Sequence, residues 1–191
     1  VITQGGARTL VLEGDTTTAQ PGGGTLGIAD SYNLRLAKAL TGSETVDVQV
    51  RFDGGQLSLA APGASASGGV LTLRFNAGNW DSGIDVSVLA TDDAVREDTK
   101  FSFVDHKVVA STAAGYLGLA RQVAVDVHDN DYAGVIVLQS DGATRLTRDD
   151  PATPVDESVS DSYTVRLTAA PTADVVIQVV TDGQTQATTP L

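Results

Sequence analysis

Hydrophobic and polar residues alternate with period two along much of the chain. Val46, Val48, Val50 and Phe52 fall on one side of an extended segment and Asp47, Gln49 and Arg51 on the other, with Asp53-Gly54-Gly55 following as a turn. Leu71, Leu73 and Phe75 alternate with Thr72 and Arg74, and Ile84, Val86, Val88 and Ala90 with Asp85 and Ser87. Val123, Val125 and Val127 alternate in the same way with Ala124, Asp126 and His128. Successive side chains of a strand point to opposite faces, so each segment predicts a strand with one buried face. Tyr32, Leu34 and Leu36 form another such face. Helix propensity over residues 29–40 competes with that reading, but the motif returns later as the β-branched Tyr-Thr-Val-Arg-Leu before Pro171, which favours a strand. Only Ala113–Leu119 is compatible with a helical turn. Seven or so short strands in about 130 residues, separated by turn signals, predict an all-β, antiparallel β-sandwich.

The pattern repeats. Asp30-Ser-Tyr-Asn-Leu-Arg-Leu36 returns as Asp161-Ser-Tyr-Thr-Val-Arg-Leu167, and Val48-Gln49-Val50 with Asp53-Gly54 returns as Ile177-Gln178-Val179 with Asp182-Gly183. Val1-Ile2 before a Gly-rich turn corresponds to Val135-Ile136 before Ser140-Asp141-Gly142. The expected organisation is one complete unit, residues 1–131, and the first part of a second, residues 132–191. A unit this long is a whole domain in tandem, too long for one element of a solenoid. The second part supplies early strands, Tyr163–Leu167 and Val175–Val180, without the later ones that would cover them. An open half sandwich leaves an apolar face and unpaired edges, so residues 132–191 are expected to order only against continuing sequence or a neighbouring molecule. A chain opening Val1-Ile2-Thr3 is likewise expected to be processed or cut from something longer.

Charge narrows the partners. The 191 residues carry 24 Asp+Glu against 12 Lys+Arg, a formal charge of -12, which disfavours nucleic acid and anionic membrane surfaces and suits cations. Cysteine is absent, which removes disulfides, thiolate metal sites and thiol nucleophiles. No apolar run approaches the roughly 20 residues a spanning helix needs, so direct membrane insertion is not expected.

The acids cluster where strands end. Asp92-Asp93 with Glu97-Asp98 follow the strand ending at Ala90, and Asp129-Asn130-Asp131 follow the strand ending near Val127. Convergent carboxylates at a loop supply what a hard cation requires, since Ca²⁺ takes about 6 to 8 oxygen ligands. Without a cation they repel one another. Two such runs at matching strand ends point to Ca²⁺ rather than to solvated turns.

The combination of Phe75-Asn-Ala-Gly-Asn-Trp80, Ile84-Asp-Val-Ser-Val88, Ala90-Thr-Asp-Asp-Ala94, Glu97, His106, Ser111, Tyr116 and Val123-Ala-Val-Asp-Val-His-Asp-Asn-Asp131 with Ala133-Gly134 resembles the Calx-β domain. It is closest to the Calx-β-like repeats of large bacterial surface proteins. The resemblance covers the first unit and continues at Asp161–Pro171. It implies an immunoglobulin-like sandwich with Ca²⁺ held by loops at one end, near the joint with the next domain. Carried over by position, the implied ligands are Asp92, Asp93, Glu97, Asp129 and Asp131, together with Glu13 near the first strand. The loop through residues 61–67 lacks an acid that calcium-binding members place there, and the middle of the terminal triplet is Asn130, so fewer ions or weaker binding are expected.

Other chemistry is poorly provided for. His106 and His128 are the only histidines, no Gly-x-Ser-x-Gly elbow accompanies Ser111, and no phosphate-binding glycine pattern occurs. His106 is read as capping or packing a loop, His128 as facing outward, and Trp80 as packing at a strand end. Gly22–Asp30 reads as a flexible loop. The expected function is a non-enzymatic, Ca²⁺-binding structural repeat of a long bacterial extracellular or cell-surface protein. Its partners would be neighbouring repeats of the same polypeptide, or copies in a fibre or surface assembly. An adhesion or carbohydrate-binding module is the alternative, ranked second because only 5% of residues are aromatic.

Overall fold

The computed structural model describes residues 1–5, 8–18, 25–140 and 142–188. Its strands are β1 (Ile2–Gln4), β2 (Thr9–Leu12), β3 (Asp30–Leu34), β4 (Val46–Arg51), β5 (Leu57–Ala60), β6 (Val70–Phe75), β7 (Ile84–Ala90), β8 (Lys100–Ser111), β9 (Ala120–His128), β10 (Val135–Gln139) and β11 (Tyr163–Leu167). Among the described residues there is no helix, and so none long and apolar enough to cross a membrane. Residues 113–119 are turns, with Gly115 and Gly118 at positive φ, and not the helical turn their composition allows.

Strands β1 to β9 form a β-sandwich. One sheet has the order β1-β3-β7-β5 and the other β2-β9-β8-β4-β6. The alternation expected for β4, β6, β7 and β9 is realised, and the inward rows of the two sheets meet in one core that includes Tyr32, Leu34, Val48, Val50, Leu71, Phe75, Val86 and Val125. Fully burying a side chain of this size is worth about 1.5–3 kcal/mol relative to exposure. The core lies within the first 131 residues, which therefore carry a complete hydrophobic interior of their own. Trp80 packs against its edge, as the sequence suggests.

Two features depart from expectation. Strand β2 runs parallel to β9, with Thr9 opposite Val125 and Leu12 opposite His128, so the five-stranded sheet is mixed. The cause is topological: β1 pairs antiparallel with β3 in one sheet, while β2, running the same way, joins the edge of the other. The second departure is His106, which sits not at a loop but mid-strand on β8, 3% exposed, with its Nε2 2.7 Å from the Tyr32 hydroxyl. Burial pushes its pKa down to about 4, with the main chain of Arg121 and Val104 pulling weakly the other way, so the ring is neutral at pH 7.

Strands β10 and β11 form a separate two-stranded sheet. Its pairing reproduces that of β1 with β3: Gln4 faces Tyr32 and Ile2 faces Leu34, while Gln139 faces Tyr163 and Val137 faces Val165. An isolated bridge joins Leu12 to Ile28, and another joins Thr147 to Val159. The Leu10 amide donates to Asp30 at 3.0 Å and the Arg145 amide to Asp161 at 2.8 Å. This register equates Ile136-Val137 with Val1-Ile2, one position on from the alignment read off the sequence. Among the described residues, Val175–Val180 is not a strand, and its valines stand exposed, Val176 at 92%. Asp141 and Gly22–Gly24 lie outside the described residues.

Candidate metal centre

The parallel register of β2 and β9 builds the site. With Leu12 opposite His128, the next residue on each strand is an acid, and Glu13 and Asp129 leave the sheet side by side. The Glu13 amide continues the ladder, donating to the His128 carbonyl at 3.0 Å. Both side chains are buried, Glu13 at 2% exposure and Asp129 at 3%. One carboxylate oxygen from each of Glu13, Asp129 and the exposed Asp131 lie within 4.8 Å of one another.

Hydrogen bonds fix Asp129 but not Glu13. One Asp129 oxygen accepts the Asp131 amide at 2.6 Å and the other the Glu97 amide at 2.5 Å. The Oε2 of Glu13 is buried with no hydrogen-bond partner. A buried, unpaired carboxylate oxygen is costly. Burial, and then the charges of Asp129, Asp93, Asp92 and Asp131, push the Glu13 pKa up to about 7. Asp131 is raised as well, by desolvation and by Asp129, Asp93 and Asp92.

The backbone around Glu13 is tight. Gly14 has a φ of 108°, and a Cβ there would meet the Asn130 amide nitrogen at 2.9 Å. A Cβ on Gly27 would be driven into the Gly14 carbonyl. Only glycine satisfies both requirements.

Six residues were expected at the centre, and the structure places them in two shells. Glu13, Asp129 and Asp131 meet directly. Asp92 and Asp93 come from the β7–β8 connection and lie near enough for their charge to act on Glu13. Asp92 accepts a hydrogen bond from the Asn130 side chain at 2.9 Å, and Asp93 caps its own turn through the Val95 amide at 2.7 Å. Glu97 reaches the centre through its main-chain amide. Its carboxylate pairs with the Lys100 ammonium and accepts from Gln56 at 3.3 Å. Sequence reasoning missed Gln56, whose Oε1 is another buried oxygen without a partner. No charge cluster marks it, because a neutral amide leaves no trace in a search for carboxylates.

The donors at the centre are all carboxylate oxygens. With neither His nor Cys among them they could hold a metal ion through oxygen alone, the donor type that hard cations prefer. A divalent ion would supply the orphaned Glu13 oxygen with a ligand and offset the repulsion of its neighbours. Compared with family models, with curated proteins and with solved structures, the chain matches none.

Proposed function

We propose that the chain is a non-enzymatic, calcium-stabilised structural repeat of a long bacterial extracellular or cell-surface protein, as its resemblance to Calx-β domains implies. The observation that carries the metal reading is the Glu13 Oε2, buried without a partner beside Asp129 and Asp131. Of the hard divalent cations, Ca²⁺, which accepts variable carboxylate geometry, fits this centre better than Mg²⁺, which demands near-ideal octahedral geometry.

The centre adjoins the joint between the two units. Tyr132 follows Asp131, and the Arg96 guanidinium lies 5.4 Å over its ring. The Tyr132 carbonyl accepts the hydroxyl of the buried Thr168 at 2.7 Å, and the Gly134 carbonyl accepts the Thr168 amide at 3.1 Å. Holding Asp131 therefore also holds the residue to which β11 is tied. Calcium would stiffen this joint between neighbouring repeats, and extracellular modules typically bind it at about 10⁻⁴–10⁻³ M.

Melting with millimolar Ca²⁺ and with chelator tests the reading. Binding to the native state alone raises the melting temperature by mass action. A rise in the parent protein that Glu13→Gln removes is the expected result, and equal melting temperatures in calcium and chelator would overturn it.

The adhesion alternative has one observation in its favour. Phe101 and Phe103 stand 57% and 51% exposed on the outer face of β8. Glycan binding abolished by the double variant Phe101→Ser/Phe103→Ser would support it.

A further inference from the structure

Arg35 and Arg166 occupy the same place in the two units. Arg35 follows Leu34, which pairs with Ile2, and Arg166 follows Val165, which pairs with Val137. Their surroundings differ. The Arg166 guanidinium donates to the carbonyls of Thr25 and Leu26, the segment that leads into the close approach of Gly27 and Gly14 behind Glu13. Among the described residues the Arg35 guanidinium pairs with Asp81 alone, at 3.7 Å, with the two side chains 46% and 69% exposed, while its main chain is bonded to Val1, whose ammonium lies nearby. A pair so open to solvent contributes about 0–1 kcal/mol and leaves the guanidinium available. Beside Arg35 a cavity of about 540 Å³ opens between the sheets, lined by Ile2, Leu34, Leu36, Val108 and Leu119 among others.

We propose that this face of the first unit, centred on Arg35, docks the Thr25–Leu26 segment of a second copy of the unit, head to tail, as Arg166 grips that segment within the chain. The inference rests on the tandem-repeat reading above. The partner's chemistry is set by the observed contact: two main-chain carbonyls at the end of the sandwich that carries the acids, meeting a guanidinium with spare donors. Thr168 has no hydroxyl counterpart, because Ala37 stands in its place. The bond to the Tyr132 carbonyl is therefore absent from this contact, and Arg35 must hold the segment without it. The separate contact is correspondingly weak, and covalent linkage in tandem would strengthen it through effective concentration. A head-to-tail contact of this kind joins different patches of the two copies, so it propagates as an open row of units unless its rotation closes a ring.

Residues 1–131 contain the whole sandwich core and present both surfaces free, whereas in the full chain Arg166 already occupies the Thr25–Leu26 carbonyls. The test is a concentration series of the 1–131 fragment, labelled with ¹⁵N, up to the millimolar range. Amide shifts around residues 25–27 and around residues 35–37 are expected to move together with concentration, and Arg35→Glu to abolish both sets. In the full chain the movement should be weaker, and Arg166→Glu should restore it. Absence of movement in the fragment, movement confined to other surfaces, or persistence in Arg35→Glu would overturn the proposal. Melting of the same fragment in calcium and chelator separates the two ideas. Calcium stabilisation without association leaves the metal reading standing and removes the docking surface, and association without calcium stabilisation does the reverse.

Discussion

The Tyr32 hydroxyl and His106 Nε2 stand 2.7 Å apart inside the sandwich, joining β3 of one sheet to β8 of the other, with the rings edge-on at 5.2 Å between centroids. The Nδ1 of His106 has no hydrogen-bond partner. Tyr32→Phe would therefore strand both imidazole nitrogens in the core. An unsatisfied buried polar group costs about 1–3 kcal/mol, whereas replacing both partners by apolar groups is nearer neutral. Urea denaturation should show Tyr32→Phe less stable by that amount and Tyr32→Phe/His106→Leu recovering part of it. Equal stability of Tyr32→Phe and the parent would show that the pair contributes nothing.

The same histidine gives a pH dependence. Its folded pKa, about 4, lies below the ordinary 6.5, so the unfolded chain binds the proton first. The stabilisation is complete above 6.5 and declines as pH falls from there toward 4. His106→Leu should remove that component of the slope when stability is measured across the interval.

Glu13 acts in the opposite sense. Its folded pKa, about 7, lies above the ordinary 4.5, so in cation-free protein its contribution is present below 4.5 and lost as pH rises through 7. Coordination requires the carboxylate, so calcium should displace a proton and bind more weakly below neutrality. A carboxyl-carbon NMR titration should place Glu13 near 7 in chelator and well below that in calcium. Titration at the ordinary value without calcium would show that the buried acid is solvated.

The legibility of this fold follows from what each strand buries. β4, β6, β7 and β9 stand out because their inward rows are apolar and their outward rows mostly polar. β8 escaped the same reading because its inward row is Ser102, Val104, His106 and Val108, while Phe101, Phe103 and Val109 face out. Its two rows are mixed in hydropathy, so period two carries little contrast. At the metal centre, the acidic runs were visible as clusters at strand ends. Which of them converge depends on β2 pairing parallel with β9, a contact between distant segments that local alternation does not encode. The resemblance to Calx-β domains brought Glu13 into consideration, where spacing alone offered no reason to choose it. The second unit shows the complement: Glu13 follows the bridged Leu12, but Arg148 follows the equivalent Thr147. A guanidinium there cannot coordinate a cation.

Asp129 and Asp47 separate a ligand from a surface acid. Asp129 accepts two main-chain amides, so Asp129→Ala should cost stability even in chelator and should also abolish most of the calcium-dependent rise in melting temperature. Asp47 is paired with Arg74 at 2.7 Å, with the arginine largely exposed, and Asp47→Ala should cost about 0–1 kcal/mol with its calcium response intact. Equal loss of the calcium response in both variants would point to a general charge effect.

The last prediction concerns the uncovered part of the second unit. Val176 and Val180 are 92% and 79% exposed, and Val175 and Val179 about half exposed, in a segment that forms no strand among the described residues. The repeat equates Val175, Ile177 and Val179 with Val46, Val48 and Val50 of β4, which are buried between the two sheets, and Val176 and Val180 with the outward Asp47 and Arg51. The inward row is therefore strand-forming where a facing sheet exists and apolar surface where none does, and Val176 and Val180 make the opposite side apolar as well, so the segment is a template for association. Val176→Lys/Val180→Lys should reduce concentration-dependent self-association of the full chain in sedimentation while leaving the melting of the first unit unchanged, because its core contains neither residue. Unchanged association in the double variant would locate the contact elsewhere. A lowered melting temperature of the first unit would show that these valines pack on it.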